Sequence, residues 1–78
     1  MSPRQFDRAF GKTQALVDAM VIEAKANAER TNYTTRDGEV IELSPMVIER
    51  NQVLYDKLSQ VQQFMLNLDT YLESLESE

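Results

Sequence analysis

Cysteine, histidine and tryptophan are absent from the 78 residues, and glycine and proline occur twice each. Without cysteine no disulfide can staple the fold, the usual rescue for a chain this short. Without cysteine and histidine together, ordinary zinc, copper, haem and iron–sulfur sites are excluded. Ser-His and Cys-His nucleophile chemistry is excluded for the same reason. The longest unbroken apolar run, Ala19–Ile22, is far below the ~18 residues of a membrane span. The opening Met1-Ser2-Pro3-Arg4 lacks the apolar core of a signal peptide. With no cysteine, the expected location is the cytoplasm. The net charge of −5 is opposite to the basic footprint of a duplex nucleic-acid binder.

What remains is a sequence written for helices. Ser2-Pro3 with Gln5 reads as a capping box with proline at the first helical position. A helix is expected over about 3–30. Phe6, Phe10, Thr13, Val17, Met20 and Ala24 recur at steps of four and three, one stripe of a helix. Ser44-Pro45 repeats the device, and a second helix is expected over about 45–74. Its stripe is Val47, Asn51, Leu54, Leu58, Val61, Met65, Leu68, Leu72 and Leu75, four heptads of a and d positions. Between them lies the 32–43 connector, read as a short turn or a mini β-hairpin around Asp37-Gly38. It is also a candidate recognition loop through Tyr33 and Arg36.

The expected fold is all-α and a single domain over 1–78: an antiparallel two-helix hairpin, assembling into a four-helix bundle as a homodimer. Folding the hairpin brings the basic Arg4, Arg8 and Lys12 to the end that carries Asp69, Glu73 and Glu76. Asn27 and Asn51 come near each other at the loop end, where a pair of amides would set the register. The apolar surface exceeds one stripe per helix, because Leu16, Val21 and Ile22 widen the first helix and Ile48, Tyr55, Phe64, Leu66 and Tyr71 the second. Helices apolar beyond one stripe are buried on more than one side. Tyr55, Phe64, Tyr71, Leu16 and Val21 are therefore the candidate partner-binding residues, for a second copy or for the helix of another protein.

No pattern calls for catalysis, a cofactor or a metal. Glu73 and Glu76 have helical spacing but belong to a solvated acidic end, whereas general acid–base work needs a pocket. Asp37–Glu42 does not carry the oxygen ligands of a calcium loop. The expected function is that of a non-catalytic protein–protein interaction module of the chaperone, adaptor or inhibitor type, without nucleic-acid, membrane or metal partners; a purely structural oligomer subunit is an alternative.

One stretch suggests an alternative. Leu43-Ser44-Pro45, Val47-Ile48-Glu49 and Asn51-Gln52-Val53-Leu54 resemble the second helix of small helix-hairpin aspartyl-phosphate phosphatases that act on sporulation response regulators. The resemblance implies a regulator of phosphotransfer signalling and covers about a quarter of the chain. That family carries Ser-Gln-x-Leu-Asp; here Gln52 and Leu54 match, while Asn51 and Tyr55 stand in place of the serine and the aspartate.

Overall fold

The computed structural model describes residues 2–76. Two long helices, α1 (Pro3–Ala28) and α2 (Pro45–Glu76), flank two three-residue strands, β1 (Asn32–Thr34) and β2 (Val40–Glu42). The helices pack on each other as an antiparallel hairpin, and the molecule is a rod of 58 × 22 × 16 Å.

Local chemistry sets the helix starts. The Gln5 amide donates to Ser2 Oγ at 3.3 Å and the Ser2 amide to Gln5 Oε1 at 3.1 Å, which completes the capping box. At α2 the Val47 amide donates to Ser44 Oγ at 3.3 Å. The ends differ from the expected ones. The first helix stops at Ala28, two residues early, because Glu29 caps it and the chain turns into β1 by Asn32. The second runs on to Glu76, with nothing between Ser74 and Glu76 to break it.

The connector is a β-ribbon. Tyr33 pairs with Ile41 and Thr34 with Val40, and the ladder continues through the Leu43 amide to the Thr31 carbonyl at 2.9 Å. Its loop has three residues, Arg36-Asp37-Gly38, closed by the Gly38 amide on the Thr35 carbonyl (3.0 Å) and the Thr35 amide on the Glu39 carbonyl (2.8 Å). A two-residue Asp-Gly turn of type I′ would need positive φ at both positions. Only Gly38 has it, at φ 84°. No Cα of either strand lies within 8 Å of a Cα of either helix beyond its near neighbours in sequence. Gly38→Val is therefore expected to fray the ribbon, at about 1–3 kcal/mol of local strain, while the thermal midpoint of the helices stays put. Amide chemical shifts over 32–42, compared with the helical circular-dichroism melt, read both effects.

The helices touch along one line each. On α1 the residues shielded from solvent are Phe10, Gln14, Val17, Val21, Ala24 and Ala28; on α2 they include Ile48, Asn51, Tyr55, Leu58, Gln62, Met65, Asp69 and Leu72. Both lines step by four and three, the repeat of a coiled-coil seam. Burial is shallow: among the described residues only Ala24, 8 % exposed, and Met65, 9 % exposed, are buried. A hydrogen bond from Gln62 Nε2 to Asp18 Oδ1 at 2.8 Å ties the helices together. Among the described residues no helix is long and apolar enough to cross a membrane.

Candidate interaction surface

The helix pair has two long faces, one on either side of the plane holding both axes, and they differ in chemistry. Each residue advances about 100° around a helix, so the residues beside each seam line can be assigned to a face. Two grooves anchor the assignment.

One groove, toward the ribbon end, is lined by Met20, Glu23, Ala24, Asn27, Asn51, Leu54 and Leu58. On its face α2 presents Val47, Arg50, Leu54, Lys57, Val61, Phe64, Leu68, Tyr71 and Leu75, a strip in unbroken steps of three and four. Most of its apolar members stand open: Phe64 is 66 % exposed and Tyr71 57 %, and Val47, Leu54, Val61 and Leu75 are also exposed. From α1 the same face receives Met20 and, one heptad before Glu23, Leu16; both are exposed. Asp18 meets Gln62, so Leu16 and Phe64, two residues further out on each helix, sit at one height.

The groove on the other face is lined by Asp7, Phe10, Gly11, Gln14, Asp69, Leu72, Glu73 and Glu76. Four carboxylates gather along it, and Asp18 and Gln62 continue that side. The acids do not converge: among the described residues no three acidic groups are placed to hold a metal ion. On α1 Asp7 and Gln14 flank Phe10 here, and exposed Leu66 lies one heptad before Glu73 on the same side. One face of the hairpin is thus mainly apolar, and the other gathers most of the acids.

The partner-binding candidates divide accordingly. Leu16, Phe64 and Tyr71 share the apolar face. Tyr55 and Val21 do not join them; both are half-buried along the seam between the helices. Residues expected in the core fall on the open face instead: Val47, Leu54, Val61 and Leu75 from α2 and Met20 from α1. The signal that marks them was present in the sequence as the width of the apolar arc, two adjacent heptad rows instead of one.

Asn27 and Asn51 line the same groove, as expected at the loop end, but no hydrogen bond joins them. The Asn51 side-chain oxygen accepts from the Arg50 guanidinium at 3.4 Å. In the stretch that resembles the phosphatases, Asn51 and Tyr55 are half-buried in the seam and Gln52 is exposed.

No protein-family model matches the chain, and neither the curated proteins nor the solved structures contain a significant match to it.

Proposed function

We propose that this chain is a non-catalytic interaction module of the adaptor, chaperone or inhibitor type, which binds helical surfaces through its apolar face and whose own assembly is a four-helix bundle of two copies. One quantity carries the reading. The chain exposes 6529 Å², whereas a compact monomer of 9.0 kDa exposes about 4,900 Å². The excess of about 1,600 Å² is more than the roughly 800 Å² each partner gives to a standard interface. A rod of two helices has one seam and no interior, so its second apolar row has nowhere to go inside the chain. Covering that row with another pair of helices gives each helix a second neighbour and turns two shallow seams into one core.

Light scattering across a concentration series, on the native chain and on Phe64→Ser, tests the reading. Phe64 is largely exposed, so its loss is expected to change the stability of the separate hairpin by no more than about 0.5 kcal/mol. The native chain is expected at twice 9.0 kDa. The variant is expected to keep its helical circular dichroism in the cold and to associate at least tenfold more weakly. A native chain that stays at 9.0 kDa at every concentration removes self-association. A Phe64→Ser variant that associates as well as the native chain removes this face.

A further inference from the structure

The α2 strip on the apolar face has an order that complements itself when reversed: aliphatic positions answer aliphatic ones, and cationic positions answer aromatic ones. Its nine positions are Val47, Arg50, Leu54, Lys57, Val61, Phe64, Leu68, Tyr71 and Leu75. Set antiparallel to a copy of itself about Val61, Val47 comes level with Leu75, Leu54 with Leu68 and Val61 with Val61, while Arg50 and Lys57 come within one residue's rise of Tyr71 and Phe64. Every cation then falls on an aromatic ring and every aliphatic residue on an aliphatic one. Cations over aromatic faces are attracted by the ring quadrupole, Arg and Lys on Tyr and Phe included. A two-fold interface requires this kind of self-complementarity, since residue i contacts j and j contacts i.

We propose that the occupant of the apolar face is a second copy of this chain, docked with α2 antiparallel to α2 on a two-fold axis through Val61, so that the two β-ribbons lie at opposite ends of the bundle. This rests on the self-association reading above and fixes its geometry.

Charge separates this arrangement from its rival. A dimer with both ribbons at one end would set α2 of one copy against α1 of the other. Heights on the two helices are matched by the Gln62–Asp18 bond. In that rival, Arg50 comes level with Arg30 of the second copy and the open Phe64 and Tyr71 rings receive no cation. Its one compensation is Lys57 beside Glu23 of the second copy. The antiparallel arrangement leaves no like charges opposed along the α2 strip.

The chain has no native cysteine, so single introduced thiols report the geometry directly. Under mild oxidation Val61→Cys is expected to link to itself in near-complete yield, because it lies on the axis. Val47→Cys and Leu75→Cys are each expected to link poorly alone and efficiently when mixed. Gln63→Cys, on the outer side of α2, is the control for random collision and is expected to stay monomeric on denaturing gels. Lys57→Glu is expected to weaken the dimer at least tenfold, and adding Glu23→Lys is expected not to restore it.

If Val61→Cys fails to link while Lys57→Cys and Glu23→Cys link to each other when mixed, and scattering still shows a dimer, the antiparallel axis is wrong and self-association stands. If Glu23→Lys rescues Lys57→Glu, the rival geometry is likewise chosen over this one. If no thiol links and the mass stays at that of one chain, the second copy is not the occupant and the self-association reading falls with it.

Discussion

Met65→Asp is expected to leave a chain with no stable helix at room temperature, seen as collapse of the helical circular-dichroism signal. Met65, at the centre of the seam, is with Ala24 one of the two most shielded of the described residues. An aspartate there would have to shed its hydration with no cation placed to receive it, a loss of about 4 kcal/mol or more. A single core of this size supplies roughly 3–5 kcal/mol in all, so one substitution consumes it. Leu58→Asp, one groove position nearer the ribbon, is expected to act in the same direction. Ile22→Asp is the control. Ile22 is 69 % exposed, and its change is expected to stay within about 0.5 kcal/mol. Equal damage from Met65→Asp and Ile22→Asp would mean that the seam described here is not where the stability resides.

The thermal midpoint of the native chain is expected to rise with protein concentration. When two copies share one core, dissociation is linked to unfolding, and mass action enters the stability. Each tenfold increase in concentration favours the dimer by about 1.4 kcal/mol. For a folding unit of two such chains that corresponds to about 3–6 °C per decade. Melts over two decades of concentration, followed by circular dichroism, check this. A midpoint that does not move with dilution would show that the two-helix seam is self-sufficient, with Ala24 and Met65 as its only interior.

Much of the architecture was legible from single residues. Ser2 with Gln5, and Ser44 before Pro45, announced both helix starts, because a hydroxyl before a proline suits the unpaired amides of a first turn. Asp37-Gly38 announced the reversal, although the loop closes one residue wider, with Asp37 at negative φ and Gly38 alone in the left-handed region. The helix ends were less legible. No glycine follows Ala28 to mark the stop of α1, and nothing after Ser74 ends α2.

The faces were only half legible, for a physical reason. Periodicity finds the centre of an apolar arc. It does not say which neighbour covers each half. Around α2 the arc spans the seam row, with Ile48, Tyr55 and Gln62, and the open row, with Val47, Leu54 and Val61. The strongest apolar stripe therefore joined the open row to the shared positions Asn51, Leu58, Met65 and Leu72 and was read as core. Gln14, Gln62 and Asp69 lie in or beside the seam with no hydrophobic signature at all, and the bond from Gln62 to Asp18 could not be read from spacing. Phe64 and Tyr71 are legible because they lie outside the main apolar stripe, and their spacing of seven places both on one flank of it.

The β-ribbon borrows nothing from the helices: its ladder, its turn and its one left-handed glycine are all internal to residues 31–43. Stem and tip are thus separate in their hydrogen bonding. Substitutions or insertions at Arg36-Asp37-Gly38 are expected to leave the seam and the apolar face unchanged. A chain built this way can exchange one tip for another without learning to fold again.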